Sequence, residues 1–512
     1  MAQPFFAGGP MMRQFLKFSR ALNLSFLFSF CFGLFFSFNC MANTLPFDPF
    51  DIHNPLIPRD IHSREHFTIH QDPEGHPTDF IMHGLRYRRD GAQPVILAHG
   101  FLNTYWITEA LGRILYHAGF DVWMFNHVGF GLTGERSTVV NYKPGMYGFR
   151  GLLQGMDLVI QHVHHVTGQK VNYISFSMGG QTYNLYISGT TGFDLNGNPV
   201  RSPHLSEKRS QRINKSVTIG DPLYNMTSVA TLPKTLGLIG NALLNKAFIN
   251  LHGFVPLGLG GKAFDQSTSV VGAALDITKL FNLLPFVNVP EQLLGHIGET
   301  SNFGIWEHHF AELFGVMFAN PHTDILRDFA KMLKQKLEEP RITYNDVENL
   351  VLVGEKDALA DPKYLLNRAI AHLKLGEKIK IVVTSGAGHL DLMMNKVLVD
   401  MQVGQQIITF LQDSEKYQSN YGVFSVAGEM SPATLKMQTR FQKSIPDISA
   451  AYAERGEIFV PGGELAPTPA DEPVAVINKA HVTLHLLDAA IQAQKKLILK
   501  NDPNCKDLFP GN

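Results

Sequence analysis

Three residues, Ser177, Asp357 and His389, have the types and chain order to turn a hydroxyl into a nucleophile. A serine hydroxyl attacks a carbonyl at neutral pH only if a neighbouring base removes its proton, and the base works best when an acid holds its ring. Ser177 sits in Val171-Asn-Tyr-Ile-Ser-Phe-Ser-Met-Gly-Gly180, a short apolar strand, a tight turn and small residues opening a helix. That is the layout of a nucleophile elbow, in which the turn lifts the serine clear of the sheet and glycines let strand and helix approach closely. The usual pattern is G-x-S-x-G, and Ser175 stands at its first glycine. Ser175 lies within the strand and is the lesser candidate for nucleophile.

His389 lies in Ser385-Gly-Ala-Gly-His-Leu-Asp391, after the strand-like run 378–384. Asp357 lies in Gly354-Glu-Lys-Asp-Ala-Leu-Ala-Asp-Pro362, after the strand-like run 348–353. Both positions put the side chain on a loop at a strand's carboxyl end, the edge where the elbow also sits. Asp221, at the end of an earlier strand over 214–220, is the alternative acid. Asp361 and Asp391 suit loop bracing through Asx-type hydrogen bonds, and Glu355 reads as a solvated turn residue. An oxyanion would be held by the backbone N–H groups of Met178, just after the nucleophile, and of Phe101, in the turn after His99-Gly100. His99 reads as a structural member of that turn.

The elements that must position these residues follow in order. Residues 66–70 and 79–87 alternate as an antiparallel hairpin at a sheet edge. Residues 94–102 and 120–125 are continuous apolar runs, as in strands buried on both faces. Helical periodicity covers 108–118 and 148–167, and Gly119 and Gly168 act as stop signals. Strand alternating with helix predicts a mostly parallel sheet with helices on both faces. From 223 to 340 the sequence has apolar helix-like runs and no convincing strand, and strand character resumes at 348. This interval reads as a helical cap inserted into an α/β core spanning 43–222 and 341–412. A helix is expected over 364–375, a last core strand over 378–384 and a closing helix over 397–411. Residues 413–512 form a C-terminal extension, with a Gly/Pro/acidic tract at 456–473 and an amphipathic stretch at 480–500, to which no function is assigned.

Composition narrows the remaining choices. The 512 residues are 45% hydrophobic and 17% charged, as in a globular protein, and a formal net charge of -1 offers no electrostatic case for nucleic acid. Three cysteines, Cys31, Cys40 and Cys505, make no disulfide framework. No nucleotide, flavin or metal motif is present, and the serine mechanism needs no cofactor. His162, His164 and His165 do not share one helix face, and His308 and His309 face apart, so neither group reads as a metal site. Arg13, Lys17 and Arg20 precede an uncharged, phenylalanine-rich run over 21–40 with small residues after it, the layout of a signal peptide over 1–42. Secretion or export to a periplasm is expected, the alternative being a membrane anchor formed by 21–40, which reaches a bilayer-spanning length of about 20 residues.

His99-Gly-Phe-Leu102 with Tyr105-Trp106, Asp121-Val-Trp-Met-Phe-Asn126, the elbow, Asp357-Ala-Leu-Ala-Asp361 and His389-Leu-Asp391 together resemble the acid lipase family of α/β-hydrolases, which includes the gastric and lysosomal lipases. The resemblance runs with gaps from about residue 67 to about residue 411. It implies the α/β-hydrolase fold, Ser177, Asp357 and His389 as triad, Phe101 and Met178 as oxyanion donors, and a cap and lid over an acyl-chain site. It also implies hydrolysis of lipid carboxylic esters at a lipid–water interface. Ser175 departs from the family pattern, as do Val128 and Phe130 in a segment that tends to read Asn-Ser-Arg-Gly-Asn, and the extension has no counterpart. Two other functions fit the same residues: acyl transfer to an alcohol, and a catalytically silent fold used for binding.

Overall fold

The computed structural model describes residues 63–221, 347–412 and 422–459 apart from short gaps, together with 322–325 and 328. The strands in chain order are β1 (Arg64–Gln71), β2 (Pro77–Tyr87), β3 (Pro94–Ala98), β4 (Asp121–Phe125), β5 (Thr138–Val139), β6 (Val171–Phe176), β7 (Thr190–Phe193), β8 (Pro199–Arg201), β9 (Ile213–Ile219), β10 (Glu348–Gly354), β11 (Ile379–Thr384) and β12 (Val423–Ala427). The main sheet runs β1-β2-β4-β3-β6-β9-β10-β11-β12, with β5 on β2, while β7 and β8 form a separate hairpin. β2 is antiparallel to both its neighbours β1 and β4, and every pair from β4 to β12 is parallel. This is the α/β-hydrolase fold that the motif order implies.

Alternation explains how helices cover both faces. Val95 and Leu97 of β3 point into one cluster with Leu111 and Leu115 of α1 (Glu109–His117) and Ile407 and Phe410 of α6 (Val403–Gln412). Ile96 and Ala98 point the other way, onto Leu152, Met156 and Val159 of α2 (Phe149–Thr167) and Tyr183 and Leu185 of α3 (Met178–Ile187). Each fully buried aliphatic side chain contributes about 1.5–3 kcal/mol, which is why strands apolar at every position must sit between two helical layers. α2 ends at Gly168, whose φ of 66° is the left-handed cap that the sequence signalled. α4 (Pro203–Ser210) leads into β9.

α5 (Pro362–Lys374) starts with Asp361 accepting from the N–H of Lys363 and with Pro362 at its first position. α7 (Pro432–Glu454) starts with a capping box between Ser431 and Thr434. These two helices pack on β10 and β11 through Leu366, Ile370, Phe441 and Ile448.

Two expectations change. The strand over 379–384 is not the last in the sheet, because Val423–Ala427 pairs parallel to it, Lys380 to Val423 through Thr384 to Ala427. Its five residues between Gly422 and Gly428 are too short for a clear alternation. With α7, it makes the first part of the presumed extension a piece of the core. Of the helix expected over 397–411, residues 397–398 and Val403–Gln412 are helical, and a left-handed Gln402 with φ 58° precedes the second piece.

Adjacent strands β9 and β10 lie 129 residues apart in the chain, from Ile219 to Glu348, so the interval between them is inserted at one point of the sheet. The helical cap expected over 223–340 lies outside the described residues except at 322–325 and 328, as do the segment 1–42 and residues 460–512. Where that interval is described, Asp324 accepts from the Tyr142 hydroxyl and from the N–H groups of Gly145 and Tyr147, and Asp328 accepts from Phe149 N–H at the start of α2.

Candidate active site

Parallel pairing brings four loops to one edge: the turns after β3, β6, β10 and β11. Ala98 pairs with Ser175 and Gly354 with Thr384, so the strands end at similar heights. This is also where the order β4-β3-β6 reverses direction, the kind of crevice in which open α/β sheets bind ligands.

Ser177 has φ 52° and ψ −121°, and apart from Gln402 it is the only non-glycine residue with positive φ among those described. Such a conformation costs about 1–3 kcal/mol and persists only where its surroundings enforce it. Its N–H donates to Ile219 O at 2.9 Å, and its carbonyl accepts from Gly180 and Gln181. A β-carbon at Gly179 would lie 2.7 Å from His99 O, one at Gly180 2.9 Å from the Asp221 β-carbon, and one at Gly100 2.9 Å from that of Ser177. The elbow therefore needs glycine at all three sites. It does not need one at Ser175, whose hydroxyl donates to Val217 O at 3.2 Å on neighbouring β9.

Ser177 Oγ lies 2.8 Å from His389 Nε2, and His389 Nδ1 lies 2.8 Å from Asp357 Oδ2. A carboxylate can only accept, so the proton resides on Nδ1 and leaves Nε2 free to accept from the serine hydroxyl. The other oxygen, Asp357 Oδ1, accepts from the N–H groups of Leu359 and Ala360 at 2.8 and 2.7 Å. That gives the Asp-Ala-Leu-Ala-Asp stretch its physical meaning: the first acid is held by the next turn's backbone and the second caps the following helix. Asp391 plays the corresponding part in the base loop, accepting from Gly388 N–H at 2.6 Å. All three side chains are shielded, with Ser177 8%, Asp357 3% and His389 2% exposed.

Met178 opens α3, so its N–H has no carbonyl four residues back and lies at the positive end of the helix dipole. Phe101 lies in the turn after Gly100, which packs close against Ser177, and its ring meets Phe130 edge-on at 6.3 Å. His99 braces this turn: Nδ1 donates to Gly100 O at 2.8 Å and Nε2 accepts from His127 N–H at 3.0 Å. Burial, partly offset by the Gly100 carbonyl, brings its pKa down to about 4, so the ring is neutral. His127 stacks edge-on against it at 4.7 Å. Burial, then the neighbouring His99, hold His127 well below the ordinary histidine value.

Asp221, the alternative acid, faces elsewhere: it accepts from Asn184 Nδ2 of α3 at 2.5 Å and lies 3.6 Å from Arg368. Glu355 is not the solvated turn residue expected from the sequence. It accepts from Ser385 Oγ at 3.0 Å, Gly386 N–H at 2.6 Å and the Ser431 hydroxyl. Its role was hidden because Ser431 lies 76 residues away in a segment that looked peripheral. His164 is tied to Gln169 O at 2.7 Å, while His162 meets the Trp123 ring at 6.0 Å. Among the described residues the one grouping of ion-binding types is Asp72, Glu74 and His76, in the β1–β2 turn, where Asp72 accepts from His76 N–H. His308 and His309 lie outside the described residues.

A family model for serine aminopeptidases of the S33 type matches residues 91–218, which include the oxyanion turn and elbow but neither Asp357 nor His389. No curated protein matches. Similar solved structures include an esterase from Thermogutta terrifontis, 14% identical with a TM-score of 0.40, covering 68% of this chain and 98% of that one. A carboxyl esterase from Bacillus coagulans is 15% identical with a TM-score of 0.40, over 68% and 98%. An epoxide hydrolase from Vigna radiata is 13% identical with a TM-score of 0.41, over 69% and 99%.

Proposed function

We propose that this α/β-hydrolase-fold protein is a serine hydrolase of carboxylic esters, with lipid esters as its substrate class. The observation that carries the reading is the unbroken relay from Ser177 Oγ through His389 to Asp357, each link 2.8 Å. In this mechanism His389 Nε2 takes the proton as Ser177 Oγ attacks the ester carbonyl, and Asp357 stabilises the imidazolium that forms. The negative charge on the carbonyl oxygen is met by the Met178 and Phe101 N–H groups, each such donor lowering the barrier by about 2.7–4 kcal/mol. Collapse expels the alcohol, which leaves with the proton from His389. Water then enters, is deprotonated by the same nitrogen and releases the acid from Ser177.

Lipid as the substrate class rests on the likeness of the Asp357-Ala-Leu-Ala-Asp361 and His389-Leu-Asp391 blocks to the acid lipases and on the apolar interval 223–340. Export is proposed from the charge and apolar pattern of residues 1–42. The reading is tested with purified protein on esters of short and long acyl chain, including acylglycerols. Turnover that rises with chain length and disappears in Ser177→Ala supports it. No turnover of any ester, or full activity in the variant, overturns it.

A further inference from the structure

The base loop is held from an unexpected side. Glu355 N–H donates to Thr384 O and Lys356 N–H to Ala387 O, knitting the acid loop to the base loop, while Ser385 N–H donates to Ala427 O at the end of β12. Around these backbone bonds sits one carboxylate. Oε2 of Glu355 accepts from both Ser385 Oγ and Gly386 N–H, three residues before His389. Oε1 accepts from the hydroxyl of Ser431, which also caps α7 through the N–H groups of Ala433 and Thr434. Burial pushes this carboxyl up, but the bonds from Ser431, Gly386 and Ser385 outweigh it and leave its pKa below the usual value, so the ionised form is the one held.

We infer that Glu355 is a positioning residue, which fixes the loop bearing His389 and ties it through Ser431 to the C-terminal strand–helix unit 423–454. The inference rests on the proposed hydrolase reading for its effect on turnover, but the clamp itself can be observed without turnover. A base on a glycine-containing loop must keep Nε2 within hydrogen-bond reach of Ser177 Oγ through both half-reactions, and a displacement of about 1 Å can cost on the order of 10²-fold in rate. Asp391 secures the loop from within, and Glu355 secures it to two other elements. On this account β12 and α7 are part of the active-site frame rather than the start of an appendage.

The test compares full-length wild type, Glu355→Ala, Glu355→Gln and Ser431→Ala. Kinetics use a soluble p-nitrophenyl ester, and hydrogen exchange is followed over residues 385–391. Glu355→Ala should lower kcat by roughly tenfold with KM changed by less than about twofold, and should speed exchange in the loop. Glu355→Gln can still accept from Ser385 and Gly386 through its amide oxygen, so it should recover kcat to within about threefold. Ser431→Ala should speed exchange in 385–391 although the hydroxyl it removes bonds to Glu355 and to the start of α7. Wild-type kcat and exchange in Glu355→Ala, or a Gln variant no better than Ala, would overturn the clamp. Unchanged loop exchange in Ser431→Ala would overturn the link to α7, even if the Glu355 variants fail to fold. If wild type turns over no ester, the hydrolase reading fails while the exchange results still decide the clamp.

Discussion

Gly220 backs directly onto Asp357: a β-carbon at that glycine would lie 3.2 Å from Asp357 Oδ2 and 3.3 Å from His389 Nδ1. Gly220 also has φ 53°, and its N–H donates to Leu352 O on β10. The end of β9 thus forms the wall against which Asp357 and His389 rest.

Gly220→Ala should therefore harm both stability and turnover. The left-handed conformation alone costs an alanine about 1–2 kcal/mol, and the added methyl presses on the hydrogen bond that orients the imidazole. Thermal unfolding and ester kinetics on one preparation check this. A variant with wild-type midpoint and wild-type kcat would show that the pair does not depend on this wall.

The choice of acid is open to a direct contrast. Asp357→Asn should lower kcat by about 10⁴-fold, because an amide can hold His389 in the wrong tautomer. Asp221→Asn removes the charge facing Asn184 and Arg368 and should leave most of kcat, with the loss appearing in thermal stability. The two variants are compared at saturating substrate. Equal losses would mean that the alternative acid shares the work.

Acid sensitivity follows from the oxyanion turn. His99 is neutral in the folded protein down to a pKa of about 4, and His127 shifts the same way, whereas both titrate near 6.5 when unfolded. Between those values the unfolded chain binds more protons, so stability is present above about pH 6.5 and is lost as pH falls, by about 1.4 kcal/mol per pH unit for each proton. Melting midpoints measured from pH 7 to pH 4.5 should fall, and the slope should flatten in His127→Phe. A midpoint that rises with acidity would contradict the buried neutral pair.

Much of the frame was legible because its signals are local. Buried strands such as Pro94–Ala98 are apolar at each position, Gly168 stops a helix, and two of the glycines the elbow needs, Gly179 and Gly180, lie within three residues of Ser177. The placement of Asp357 and His389 was legible because each follows a strong strand signal. Long-range partnerships were not. Nothing near Val423–Ala427 announces a strand, because five residues between two glycines gain their stability from pairing with β11. Glu355 looked like a turn residue because its donors, Ser385 and Ser431, are brought to it only by the finished sheet. Ser175 looked like a blemish until β9 supplied Val217 O as its acceptor.

The central claim is that Ser177 is the activated nucleophile, and covalent labelling tests it most directly. Purified wild type is treated with a fluorophosphonate, and the modified peptide is located by mass spectrometry alongside Ser177→Ala and His389→Ala. One adduct on Ser177 in wild type, none in Ser177→Ala and strongly slowed labelling in His389→Ala is the predicted result. An adduct on another residue, or labelling of Ser177 that proceeds unchanged without His389, would contradict it.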